Sequence, residues 1–147
     1  MRLDRDFSKF IGFLSAHEVR FLIVEGYAVA VHGHPRYTGD LDVWVLVHPD
    51  NAERFVHALD DFGFGSVGLT AADFMQPDRV VQLGYPPLRI DLLTSVHGVE
   101  FDDCYVNRVE VQLDGVVVPF IGLADLRRNK TASGRPQDLA DLDALDG

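Results

Sequence analysis

The run Arg36-Tyr37-Thr38-Gly39-Asp40-Leu41-Asp42-Val43-Trp44-Val45 sets two carboxylates two residues apart at the mouth of an apolar, β-branched stretch. On a strand, residues i and i+2 project from one face, so Asp40 and Asp42 share a side while Leu41 turns to the other. Carboxylates held that close repel each other unless a cation lies between them. Oxygen ligands of this kind suit magnesium, which takes one or two carboxylates and completes its octahedron with water and phosphate oxygens. A plainer reading has Asp40 at the strand entrance and Asp42 facing solvent. A third aspartate, Asp91, lies in Leu88-Arg89-Ile90-Asp91-Leu92-Leu93, an apolar run where a charge needs a reason. Either it bridges to Arg89, or its strand lies beside 41–47 and the three carboxylates converge. Converged, Asp40, Asp42 and Asp91 are candidate metal ligands and catalytic groups. A pair of metal ions there would clamp the attacking and leaving oxygens of a phosphoryl or nucleotidyl transfer. Asp91 would also stand near enough to accept the proton of an attacking hydroxyl.

The elements that must position these groups are legible from pattern. Residues 4–18 carry Phe7, Phe10, Ile11 and Leu14 at helical spacing. Residues 20–25 read as a short buried strand; Gly26 breaks it, and 27–32 form a short helix ended by Gly33 and Pro35. The stretch 41–47 is a strand, and Pro49-Asp50 opens a helix that presents Phe55, Val56 and Leu59 inward. Three glycines turn the chain over 63–68, and 70–75 is a single helical turn. Strands 80–84 and 88–94 are expected to form a hairpin across Tyr85-Pro86-Pro87. Strands 109–113 and 116–121 form another around Asp114-Gly115, a strong two-residue turn signal. From Leu123 the tail is helical, interrupted at 133–136. Strands interleaved with helices predict an α/β (α+β) fold, a mixed β-sheet flanked by helices.

Bulk properties narrow the function classes. A chain of 147 residues without repeats or linkers reads as one domain, 1–147. Its single cysteine, Cys104, excludes an internal disulfide, fits a reducing compartment and has no evident base beside it. The start is mixed in charge and no apolar run nears the ~20 residues that span a bilayer. A soluble, cytoplasmic protein with no membrane partner is expected. A formal net charge of −10 argues against non-specific binding to nucleic acid. It leaves room for a nucleotide, because a divalent ion can bridge carboxylates to phosphate.

Several further residues have a functional and a structural reading. Arg36, on the approach to Asp40, is either a two-pronged phosphate donor or a bridge to Asp40. Tyr27 and Trp44 either stack on a base or pack in the core; strict alternation puts Trp44 on the face of Asp40 and Asp42. His32 and His34 flank Gly33 without an obvious third ligand for a transition metal. Asp138 and Asp141, three apart, are expected to set a helical turn or pair with Arg135.

Taken in order, Gly26-Tyr27-Ala28-Val29-Ala30-Val31-His32-Gly33, then Arg36-x-Thr38-x-Asp40-x-Asp42, then Arg89-Ile90-Asp91-Leu92, resemble the DNA polymerase β-like nucleotidyltransferase superfamily. The C-terminal Lys130 and the run Gly134-Arg135-Pro136-Gln137-Asp138-Leu139-Ala140-Asp141-Leu142 narrow the resemblance. They are similar to small bacterial proteins related to abortive-infection toxins of toxin–antitoxin systems. The resemblance covers about residues 20–145. It implies a nucleotidyltransferase fold and a magnesium-dependent transfer of a nucleoside monophosphate from an NTP to a hydroxyl of a protein, an RNA end or a small molecule. It also implies nucleotide contacts from Gly26, Tyr27, Arg36, Thr38 and Lys130. The sequence departs from the pattern at Glu25, where the first glycine of a pair is expected. That turn normally lets backbone N–H groups approach a triphosphate, and a glutamate adds bulk and negative charge there. Glu25 either points away, joins the metal ligands, or marks a catalytically silent member that binds a nucleotide or a protein partner.

Overall fold

A computed structural model of the chain describes residues 3–34, 39–85 and 88–146. Asp4 caps helix α1 (Arg5–Ala16) by accepting from the Asp6 backbone N–H at 2.8 Å, and α1 buries Phe7, Phe10, Ile11 and Leu14. Strand β1 (Phe21–Val24) is apolar throughout and fully buried, as a central strand must be. The predicted strand ends one residue early, because Glu25 takes φ +60° and swings the chain into helix α2 (Glu25–Val31).

Strand β2 (Asp40–Val45) follows, then helix α3 (Pro49–Leu59), which runs through a π turn over 60–64 until Gly63, at φ +118°, breaks it. A 3₁₀ turn over 71–74 carries a capping box between Thr70 and Asp73. Strands β3 (Val80–Tyr85) and β4 (Leu88–Leu93) form the first expected hairpin, though its Pro86-Pro87 link lies outside the described residues. Helix α4 (Phe101–Val106) has no counterpart in the sequence reading. Strands β5 (Val109–Leu113) and β6 (Val116–Phe120) pair as expected, and helices α5 (Leu123–Ser133) and α6 (Pro136–Asp146) are separated by Gly134 in the left-handed region.

The six strands form one mixed sheet in the order β3-β4-β2-β1-β6-β5. β1 runs antiparallel to β2 and parallel to β6, while β2 runs parallel to β4. Leu41, Val43 and Val45 of β2 and Ile90 and Leu92 of β4 alternate into one continuous core with Phe10, Ile11, Leu14, Phe55 and Phe120. Each such buried side chain contributes roughly 1.5–3 kcal/mol relative to exposure. The loop entering α3 is fixed by Asn51, which is fully buried. Its Oδ1 accepts from Arg20 N at 2.7 Å, and its Nδ2 donates to the carbonyls of Arg20 (3.1 Å) and Leu46 (3.0 Å).

Candidate active site

Because β2 and β4 are adjacent and parallel, Asp42 pairs with Asp91 and Asp40 pairs with Arg89 across the ladder. Strands about 4.8 Å apart set the Asp42 and Asp91 side chains side by side on one face. The same row continues to Val24 of β1 on one side and Gln82 of β3 on the other. The structure therefore brings Asp40, Asp42 and Asp91 to a single face of the sheet, next to the turn from β1 into α2.

Arg89 stands among them. Its guanidinium donates to Asp40 Oδ2 at 2.6 Å, and its Nε lies 3.4 Å from Asp91 Oδ1. The second contact has ion-pair distance but not hydrogen-bond geometry, so both the Arg89 Nε and Asp91 Oδ1 atoms are buried without a hydrogen-bond partner. Among the described residues Asp42 makes no such close ion pair. Burial first, then the negative charges of Glu25, Asp91 and Asp40, push its carboxyl up to about 8, against a smaller opposing pull from Lys130. Burial also raises the Asp91 carboxyl above its usual range, opposed by Arg89 and reinforced by Asp40. Two adjacent carboxyls that resist ionisation, one with an orphaned buried oxygen, fit a divalent cation placed between them. Among the described residues no group of three or more His, Cys, Asp or Glu side chains is disposed as a ready-made metal site. The Asp40 charge is already met by Arg89.

Lys130, expected on the nucleotide, is instead almost wholly buried, and its Nζ meets three carboxylates. It reaches Glu25 Oε2 at 2.9 Å, Asp138 Oδ1 at 3.1 Å and Asp141 Oδ2 at 3.3 Å. Burial lowers its pKa, but Glu25 and Asp138 outweigh that and hold the ammonium charged. Arg135 donates through Nε to Asp138 Oδ2 at 2.7 Å and approaches Glu25 Oε2 at 3.5 Å. Asp138 and Asp141 thus do pair with basic groups, with Lys130 as the hub. The Glu25 backbone adopts φ +60°, a conformation glycine accepts freely and other L-residues occupy at about 1–2 kcal/mol. That explains why a glycine is expected there. No sequence spacing links Glu25 to a lysine 105 positions away.

The remaining expected contacts divide. Gly26 is buried at the start of α2 beside this cluster. Tyr27 is a buried core residue, its ring edge-on to Phe7 of α1 at 6.0 Å. Arg36 and Thr38 lie outside the described residues. Trp44 shares the aspartate face but is buried edge-on against Phe101 of α4, at 5.1 Å. A cavity of about 590 Å³ opens beyond it, between Val47, Thr94, His97 and Phe101, and no aspartate of the trio lines it. His32 donates from Nε2 to the Ile121 carbonyl at 2.8 Å, tying the end of α2 to the end of β6. Cys104 is buried, and burial followed by the adjacent Asp125 pushes its thiol up to about 12, which leaves it inert as a nucleophile.

Comparison with known proteins decides the family. The sequence profile of the family described as "nucleotidyl transferase of unknown function (DUF2204)" matches residues 4–146. The chain belongs to that family. Its fold is that of nucleotidyltransferases: it superposes on a Thermotoga maritima protein designated a candidate nucleotidyltransferase (TM1012) with a TM-score of 0.64 at 13% identity. That match covers 97% of this chain and 94% of the other. An antigenic nucleotidyltransferase-like protein of Paracoccidioides brasiliensis matches with a TM-score of 0.60 at 17% identity, over 95% and 74% of the two chains. The lincosamide antibiotic adenylyltransferase LnuA, in a lincomycin-bound structure, matches with a TM-score of 0.58 at 10% identity, over 99% and 98%. No curated protein matches the chain. No helix among the described residues is long and apolar enough to cross a membrane.

Proposed function

We propose that this family member is a cytoplasmic, magnesium-dependent nucleotidyltransferase that moves a nucleoside monophosphate from an NTP to a hydroxyl acceptor. The observation that carries the reading is the side-by-side placement of Asp42 and Asp91 on neighbouring parallel strands, where both carboxyls resist ionisation. Asp42 and Asp91, with Asp40 beside them, would hold magnesium, which supplies charge neutralisation on the phosphates. Arg89 keeps Asp40 and Asp91 oriented toward the shared face. As the acceptor oxygen bonds to the α-phosphorus, the bond to the bridging oxygen breaks and pyrophosphate leaves. The acceptor proton passes to Asp91. Positioning and charge compensation account for most of the rate in chemistry of this kind. A protein, an RNA end or a small molecule can each present such a hydroxyl.

One observation favours a second reading. Glu25 bridges to Lys130 and so satisfies the cation expected to meet phosphate. On that reading the chain is a catalytically silent member that binds a nucleotide or a protein within a toxin–antitoxin-like pair. Thermal unfolding with magnesium and each NTP, on the wild type and on Asp42→Asn, separates the two. Ligand at about 100 times its Kd should add roughly 2.7 kcal/mol of stability. A magnesium-dependent rise lost in Asp42→Asn supports the metal-bound nucleotide site that transfer requires, and an assay of NTP turnover then distinguishes transfer from silent nucleotide binding. No rise with any NTP supports the silent reading.

A further inference from the structure

Lys130 has three carboxylate partners, and they are not equivalent. Asp138 and Asp141 are nearly inaccessible, with side chains 1% and 3% exposed, and both belong to α6. Glu25 is 25% exposed and comes from the opposite end of the chain, on the turn from β1 to α2. The side of Lys130 that Glu25 covers is therefore its one route to solvent among these three contacts. Arg135, 63% exposed, approaches the same Glu25 oxygen from that outer side. A single carboxylate oxygen thus sits between an ammonium at 2.9 Å and a guanidinium at 3.5 Å.

The position holds an anion well, but a glutamate is a costly way to supply one. Its charge bears on Asp42, and its backbone holds a φ of +60°. Neutralising the cluster does not require it, because Asp138 and Asp141 already supply two negative charges against the two positive charges of Lys130 and Arg135. An anionic oxygen at this point, between two cations and beside the Asp42–Asp91 pair, has the environment a phosphate oxygen of a bound nucleotide needs.

We propose that the Glu25 carboxylate is an internal stand-in for phosphate: it occupies the anion position between Lys130 and Arg135, and a polyphosphate must displace it to bind. The inference rests on the aspartate face being a nucleotide site. It makes Glu25 a specificity-determining residue that opposes binding of polyphosphate lacking a divalent ion. A free polyphosphate brings negative charge to a position already negative, whereas a magnesium complex arrives partly neutralised and offers the displaced carboxylate a cation.

The test is isothermal titration of inorganic tripolyphosphate, with chelator and no divalent ion, into wild type, Glu25→Gly and Glu25→Gln. Glycine suits the positive φ, and glutamine keeps the length and polarity of the side chain without its charge; thermal unfolding verifies that each variant is folded. Removing a like charge from the binding position should tighten binding at least about tenfold in Glu25→Gly, with a smaller gain in Glu25→Gln. Adding Arg135→Ala to Glu25→Gly should abolish the gain. If neither variant binds tripolyphosphate more tightly than wild type, Glu25 is only a structural counter-ion of Lys130 and the inference is wrong. The titration involves no transfer chemistry. A tenfold gain without any nucleotidyl transfer would uphold the displacement and remove the enzymatic reading. Transfer without a gain would do the reverse.

Discussion

Replacing Asp42 with asparagine should stabilise the metal-free protein, and more so as pH rises. The wild-type carboxyl moves from 3.8 in the unfolded chain to about 8 in the fold, so the folded state binds this proton more tightly than the unfolded one. Stability is then fully present below about 3.8, falls through the window between the two values, and stays at its reduced level above about 8. The full span corresponds to a ceiling of roughly 6 kcal/mol. The realised loss should be about 2–4 kcal/mol, because water reaches part of the side chain and the neighbouring Asp91 can share the proton. Asparagine has the same shape and no charge to desolvate, so Asp42→Asn escapes the loss. Urea unfolding of both proteins in chelator should give nearly equal stabilities near pH 4. Near pH 8.5 the variant should lead by about 2–4 kcal/mol, or roughly 5–15 °C in Tm. Magnesium should close that gap by stabilising the wild type alone. A variant equal to or less stable than wild type near pH 8.5 would refute the account of Asp42 as an uncompensated, half-buried charge.

Two structural predictions follow from the same polar framework. Lys130→Met should lower stability by about 2–4 kcal/mol at neutral pH, because it removes the buried ammonium that Asp138 and Asp141 share and leaves Asp138 to Arg135 alone among the cations described. Burial alone would raise the Asp138 carboxyl, but hydrogen bonds from Arg135 and Lys130 outweigh it and hold the pKa below 3.8. Its stabilising contribution is thus present above that value and fades as pH falls below it, so urea unfolding should show the deficit of Lys130→Met narrowing toward acid pH. Asn51→Leu should cost about 2–4 kcal/mol in the same assay, since it removes three hydrogen bonds and takes their partner from the Arg20 N–H and the Leu46 carbonyl, while the Arg20 carbonyl keeps its bond from Leu46 N.

The elements that depend on local pattern were readable in the sequence. Phe7, Phe10, Ile11 and Leu14 mark α1 by their spacing, and Asp114-Gly115 marks the β5–β6 hairpin with Asp114 at φ +49° and Gly115 at +84°. Helix α4 is not legible in the sequence, although Phe101, Cys104 and Tyr105 stand at i, i+3 and i+4 around two acidic first-turn residues. Six residues are too few for a periodicity to stand out. Within the site, the placement of Asp91 beside Asp42 followed from a conditional argument about strand order, which the β2–β4 ladder satisfies. The fates of Tyr27 and Lys130 were not readable, because each depends on which long-range neighbour wins. Phe7 claims the tyrosine ring, and Glu25, Asp138 and Asp141 claim the lysine.

Glu25 shows how one substitution couples turn geometry to site electrostatics. The strand-to-helix turn demands positive φ, which glycine would supply at little conformational cost. A glutamate persists there with compensation at hand: Lys130 and Arg135 take its carboxylate. Those same contacts withdraw two cations from the space above Asp42 and Asp91, and they add a negative charge to a face that already holds three aspartates. The face is therefore short of positive charge in the metal-free protein, and the least expensive remedy is a divalent ion carried in with the nucleotide. A glycine at position 25 would remove one of the three carboxylates around Lys130 and leave the outer side of Arg135 open to an anion. On the proposed function the glutamate would make metal and nucleotide interdependent, so their binding should be synergistic in the wild type and close to independent in Glu25→Gly.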